Sequence, residues 1–176
     1  DGGGLLPQQR GDARGQPRHA PRLVADRAEV LLESDAVELG RPLAEPALAA
    51  SRALLRPRAQ SVQWIAADIT RAELPAARYD VWHDRAVFHF LTDPADRARY
   101  VEQVLKSVKP GGHVIVATFG PGGPLQCSGL DVACYAPEAL HAEFGAPFRL
   151  LGHQTEIHRT PTGQEQEFVY CYCRRI

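Results

Sequence analysis

The spacing of apolar residues changes along the chain, and the changes mark out its elements. Val101, Val104, Leu105 and Val108 fall at i, i+3, i+4 and i+7, a single stripe at the helical period. A start signal precedes the stripe: Asp93 is a capping residue, Pro94 has no N–H to lose in the first turn, and Asp96 adds negative charge there. Pro110, Gly111 and Gly112 cannot continue a helix and mark its stop. Beyond them Val114 to Phe119 runs apolar and β-branched, the pattern of a strand buried on both faces, and Tyr79 to Trp82 is a shorter segment of the same kind. Strand, crossover helix and strand make a βαβ unit, which predicts a parallel pair in an α/β domain.

The rest of the chain reads around that unit. Val24, Ala28 and Leu31 share a face of a weak helical pattern over Pro21 to Ser34, and alanines favour a second helix from Pro46 to Leu55. Val62 to Ala66 reads as a short strand ending ahead of Asp68 and Thr70. After Phe119, GPGGPLQCSG is a turn-rich loop of the kind that carries function. Pro137 opens a helix that runs to Phe144 and closes at Gly145. Phe148 to His158 and Glu167 to Cys173 then form two strands joined by RTPTGQ, an antiparallel pair at the sheet edge. Residues 1–20, rich in Gly, Pro, Arg and Gln, have almost nothing to bury and read as a loose tail ahead of one domain over 21–176.

Composition narrows the class of partner. A length of 176 residues suits one domain. A net charge of -1, without a basic patch or charge block, argues against nucleic acid and against an acidic membrane surface, which leaves a small molecule as the expected partner. No apolar run reaches membrane-spanning length and no hydrophobic signal segment opens the sequence. Four cysteines show no secreted disulfide framework, so a reducing cytoplasm is the expected compartment. The sequence lacks methionine and begins at Asp1, which leads us to expect a fragment or a processed or engineered product.

Several segments together resemble one family. YDVWHDRAVFHFL followed by a helix and then KPGGHVIVATF is similar to the fourth and fifth strands of class I S-adenosylmethionine-dependent methyltransferases, particularly small bacterial ones that methylate small molecules. VQWIAADIT resembles their third strand and its acidic cofactor loop, and CSGLDVACYAPEALHAEFG with HRTPTGQEQEFVYCYC resembles their tail, so the likeness runs from about Leu43 to the end. It implies a three-layer, mostly parallel Rossmann-like sheet with an antiparallel C-terminal hairpin, S-adenosyl-L-methionine as cofactor, and methyl transfer to a small-molecule acceptor.

The same likeness assigns residues. Asp68 sits just past a strand, where a carboxylate accepts from an adenine amino group while Ile69 packs on the ring; the competing reading is a cap of the next turn. His83, Asp84 and Arg85 then lie against the methionine portion and the acceptor, in a positioning role, unless Asp84 and Arg85 are spent on a surface ion pair. His83 and His89 are alternatives for a general base, because imidazole titrates near neutrality, although a lone histidine is more often packed than catalytic. Cys171 and Cys173 share a strand face and, with Cys127 and Cys134, raise a soft-metal site; the spacing lacks paired CxxC turns, so buried thiols and no metal are expected.

The family's opening strand and glycine turn have no good counterpart. No hydrophobic strand precedes Gly2, Gly3 and Gly4, and the position of the second strand's acidic residue falls near Pro42, with Glu38 the nearest carboxylate upstream. The first one or two strands are therefore expected to be missing or replaced, with self-association through an incomplete sheet. A non-catalytic remnant or interaction module lacking a complete cofactor site is the alternative function.

Overall fold

The computed structural model describes residues 49–176 apart from Ser51, Ala66 and Pro161. The expected tail over 1–20, the helical pattern over 21–34, and the glycine turn and second-strand positions discussed above lie outside the described residues.

The elements run β1 (Tyr79–Arg85), α1 (Pro94–Ser107), β2 (Val108–Phe119), β3 (Gln126–Cys127), β4 (Leu130–Asp131), α2 (Pro137–Phe144), β5 (Phe148–Arg159) and β6 (Glu165–Arg175). The main sheet has the order β1-β2-β6-β5, with β1 parallel to β2 and the other two pairs antiparallel. The βαβ unit and the terminal hairpin both stand as expected, and the sheet they share is a mixed, Rossmann-like α/β sheet. Strands β3 and β4 form a separate small hairpin inside the loop after Phe119.

Local chemistry sets the ends of α1. The Asp93 carboxylate accepts from the Ala95 N–H at 2.7 Å, Pro94 takes the first turn, and Asp96 and Lys106 complement the helix dipole at opposite ends. The helix stops at Ser107 rather than at Pro110, because Val108 is already extended. Val108 of the predicted stripe is thus buried from a strand, and Tyr100 joins Val104 as the helix's buried face. Tyr79 pairs with Val108 and Val81 with His113, so Lys109–Gly112 bulge out opposite the single residue Asp80 of β1. Gly111 sits there at φ 79°, and a Cβ on Gly112 would meet the Asp80 and Lys109 carbonyl oxygens at 2.9 Å. The glycines are needed by the bulge rather than by a helix stop.

One expected strand is corrected. Over 62–66 the described residues show an isolated bridge at Trp64 and no ladder. The Trp64 indole N–H instead donates to the Ala59 carbonyl at 3.2 Å, tying the segment to the 3-10 turn Arg58–Ser61. Among the described residues β1 has β2 as its sole ladder neighbour, so this segment does not extend the sheet.

Alternation along the strands separates two faces. On one, Trp82, Asp84, Val114, Val116, Val169, Cys171 and Cys173 lie in register and are all buried. They pack against Tyr100 and Val104 of α1, Leu140 and Phe144 of α2, and Phe148. The two helices are joined on that side by the Arg97–Glu143 ion pair at 3.1 Å and by edge-to-face packing of Tyr100 on Phe144. The opposite face carries half-buried Val81, Ile115, Tyr170 and Tyr172 with exposed His83, Arg85 and His113.

Candidate functional site

The carboxyl ends of β1 and β2 lie side by side, the edge at which open α/β sheets hold ligands. His83, Asp84 and Arg85 do not follow β1 but are its last three residues, and the pleat sends them opposite ways. His83 and Arg85 emerge on the open face. Asp84 turns under α1 and is 5% exposed.

The Asp84 carboxylate accepts three hydrogen bonds, from the Tyr100 hydroxyl at 2.5 Å, the Val87 N–H at 2.9 Å and the Phe88 N–H at 3.0 Å. The Trp82 indole in turn donates to the Tyr100 oxygen at 2.8 Å. The carboxylate therefore pins the turn that leaves β1, where Ala86 sits at φ 68° and donates its N–H to Ala117. Burial pushes the Asp84 carboxyl up to about 6, against the opposing pull of its three donors, and the same burial together with Asp84 raises the Tyr100 phenol.

The pinned turn delivers His89 into the end of the sheet. Its side chain is fully buried between the Phe90 and Phe119 rings, with centroids at 4.5 and 4.6 Å, and its carbonyl accepts from the Ala133 N–H at 2.8 Å. Among the described residues neither ring nitrogen has a hydrogen-bond partner. This apolar box lowers the imidazole to about 4, so His89 is neutral at neutral pH.

On the open face, Arg85 donates from Nε to the Tyr170 hydroxyl at 3.1 Å and lies 4.6 Å above the Phe168 ring, an exposed cation–π contact. The His158 ring meets the same phenylalanine at 6.1 Å. Behind this group the turn after β2 wraps Glu167. Gly120 donates its N–H to the Glu167 carbonyl at 2.9 Å, and Gly122 donates to the Glu167 carboxylate at 3.0 Å. A Cβ on Gly120 would lie 2.3 Å from Glu167 Oε1, and one on Gly123 would lie 2.7 Å from the Phe119 Cβ. Glycine is what lets this loop close on the sheet edge.

Asp68 stands apart, with no hydrogen bond or ion pair to His83 or Arg85 among the described residues. Its Oδ1 accepts from the Thr70 N–H at 2.9 Å and the Thr70 hydroxyl at 2.8 Å, and its Oδ2 lies 3.6 Å from Arg71 Nε. This is a turn cap. Ile69 is fully buried in the main core beside Ala72 and Leu74. The cysteines divide as well: Cys171 and Cys173 touch in the core with sulfurs 3.4 Å apart, while the Cys134 thiol contacts the Pro124 carbonyl in the loop after β2. Among the described residues no three His, Cys, Asp or Glu side chains are grouped as a metal site, and no helix is long and apolar enough to cross a membrane.

Glu167, Phe168 and Tyr170 were not singled out in the sequence. The alternation of Phe168, Tyr170 and Tyr172 along β6, an aromatic stripe at period two on the face that also carries Arg85, was the available signal.

Residues 28–116, just over half of the chain, match the family model described as a methyltransferase domain, and the match takes in β1, α1 and β2 as far as Val116. No curated protein matches the chain. Among solved structures, it is similar to a SAM-dependent methyltransferase from Methanosarcina mazei, with 11% identity, 84% of this chain and 81% of that one covered, and a TM-score of 0.63. It is similar to a second such enzyme, from Mesorhizobium loti, with 18% identity, 76% and 77% covered and a TM-score of 0.57. The 1,6-didemethyltoxoflavin-N1-methyltransferase of Burkholderia thailandensis, with bound 1,6-didemethyltoxoflavin and S-adenosylhomocysteine, gives 17% identity, 85% and 72% covered and a TM-score of 0.53. Identities this low speak for the shared fold, and the family match supplies the rest: the chain belongs to the methyltransferase domain family, in the class I group whose cofactor is S-adenosylmethionine.

Proposed function

We propose that the chain transfers a methyl group from S-adenosylmethionine to a small-molecule acceptor held over the carboxyl ends of β1 and β2. The observation that carries this reading is the make-up of that edge: outward His83 and Arg85, a buried imidazole with both nitrogens unpartnered among the described residues, and a glycine turn backed onto Glu167. Polar groups with unused capacity at a sheet's ligand edge suit a polar small molecule. The acceptor bound by the Burkholderia thailandensis structure is of that class.

The cofactor supplies an electrophilic methyl on a sulfonium sulfur. The protein then has to hold donor and nucleophile in line and exclude water. Asp68, half open to solvent, is the acceptor for the adenine amino group, and Ile69 supports it from the core. His83 and Arg85 flank the methionine portion and the acceptor. Asp84 acts from beneath, fixing the turn between them and His89. Neutral His89 accepts a proton only from an acceptor that becomes strongly acidic as it reacts.

Calorimetry with S-adenosylhomocysteine tests the reading directly. The parent chain should bind, and Asp68→Ala should weaken binding by about 1 to 3 kcal/mol while the protein stays folded. Equal affinity in the variant removes Asp68 from the site. A second reading, a fold without a working cofactor site, is favoured by the engagement of Asp68 with Thr70 and Arg71, and micromolar binding by the parent rejects it.

A further inference from the structure

At the other end of the sheet, three arginines line one open concavity of about 290 Å³: Arg149, Arg174 and Arg175, together with Gly111 and Ile176. Arg149 and Arg174 are directly opposed across the β5–β6 ladder, an arrangement in which like charges repel. Among the described residues none of the three is ion-paired, and the nearby Lys109 is spent on Asp80 at 2.8 Å. The Arg174 Nε donates to the Gly111 carbonyl at 3.0 Å, which holds the guanidinium over the bulge, and Arg175 donates to the Val108 carbonyl. Among the described residues the buried Arg175 Nε has no acceptor.

Backbone anchors hold Arg174 and Arg175, Arg149 faces Arg174 across the ladder, and among the described residues no carboxylate is ion-paired with any of the three. We infer that this concavity binds a small multivalent oxyanion, a phosphate or phosphate ester. A doubly charged tetrahedral anion suits guanidinium forks arriving from neighbouring strands, and it would remove the Arg149–Arg174 repulsion while filling the open donors. A nucleic acid backbone fits less well, because the cations form one cluster at a cavity rather than a stripe. The site is remote from the proposed transfer edge: at the usual strand rise of about 3.3 Å per residue, β2 separates His113 from Phe119 by roughly 20 Å. It therefore does not depend on the methyltransferase reading.

The test is thermal melting of the full chain in inorganic phosphate against potassium chloride at matched ionic strength, for the parent, Arg149→Gln and the Arg149→Gln/Arg174→Gln double variant. The parent Tm should rise saturably with phosphate beyond the chloride effect, and the double variant should lose that increment. Without phosphate, Arg149→Gln should melt at or above the parent, since it relieves repulsion; a merely structural Arg149 would lower Tm. Flotation with phosphatidylcholine vesicles, with and without phosphatidic acid, separates the sources. Arginine-dependent flotation without a response to inorganic phosphate assigns the site to a lipid headgroup, and response to phosphate alone assigns it to a soluble ligand. A phosphate increment equal to that of chloride or unchanged in the double variant, with no arginine-dependent flotation, overturns the inference. Binding of S-adenosylhomocysteine by the same variants should match the parent, so failure here is distinct from failure of the transfer site.

Discussion

The two faces of the sheet are built from alternate residues of the same strands yet obey different rules. Under α1 and α2, Trp82, Asp84, Val116 and Cys171 are all buried, and even the charged member has its hydrogen-bond capacity filled. On the adjacent positions of the same strands, His83, Arg85, Ile115 and Tyr170 are half-buried or exposed. Packing fixes the first set, where neighbours surround every atom; chemistry is free to vary on the second. The proposed ligand edge lies where the two meet, with a turn anchored from the covered face and side chains presented on the open one.

The largest way to break the contrast is to open the covered face. Phe88 packs its ring against Tyr100, Tyr135 and Phe144, so Phe88→Ala should cost about 3 to 5 kcal/mol in urea unfolding, cavity included. Asp84→Ala should cost about 2 to 4 kcal/mol, because it strands the Tyr100 hydroxyl and two buried N–H groups without an acceptor. A loss no larger than that of a surface substitution would show that water satisfies those groups.

The two buried ionisable groups at this boundary have opposite pH signatures. His89, lowered from 6.5 to about 4, leaves the unfolded chain binding more protons between those values, so its contribution to stability falls as pH falls through that window, by about 3 kcal/mol in all. Asp84, raised from 3.8 to about 6, makes the folded chain bind more protons, so its contribution of similar size is present at low pH and is lost as pH rises through about 6. The two oppose each other in the parent. Urea titrations between pH 4 and 6.5 should thus show a shallow profile in the parent, stability rising with pH in Asp84→Asn, and stability falling with pH in His89→Leu. Parallel profiles in all three proteins would rule out this assignment. The smallest effect on folding belongs to the open face: Arg85→Ala should change stability by less than about 1 kcal/mol, given its exposed partners. Its measurable consequence should instead be weaker cofactor or acceptor binding.

Features governed by local rules were legible in the sequence. Asp93 and Pro94 start α1, Pro137 and Gly145 bound α2, and the hairpin from Phe148 lies at the sheet edge, each decided by capping, proline and alternation. What escaped was decided by partners distant in sequence. The strand expected over 62–66 had the right residues but, among the described residues, no ladder. The glycines of KPGG read as a helix stop, whereas the register of β1 against β2 makes them a bulge. At the candidate site, the sequence grouped His83, Asp84 and Arg85 as neighbours along the chain; the pleat separates Asp84 from the other two, and its inward bond to Tyr100 is set by helix packing. Glu167 became visible as a loop anchor only when the glycine turn closed on it.

The paired thiols of β6 carry a kinetic consequence. Cys171 and Cys173 are 1% and 2% exposed, so a thiol reagent reaches them only when β6 leaves the core. Half-buried Cys127 and Cys134 belong to the loop after β2 and the segment beyond it, which open with far less disruption. Unmodified protein therefore has two labelling rates built in, one reporting the breathing of the loop beside the ligand edge and the other the opening of the whole sheet. A cofactor that binds at that edge should slow the first rate strongly, and the second only as far as it stabilises the fold.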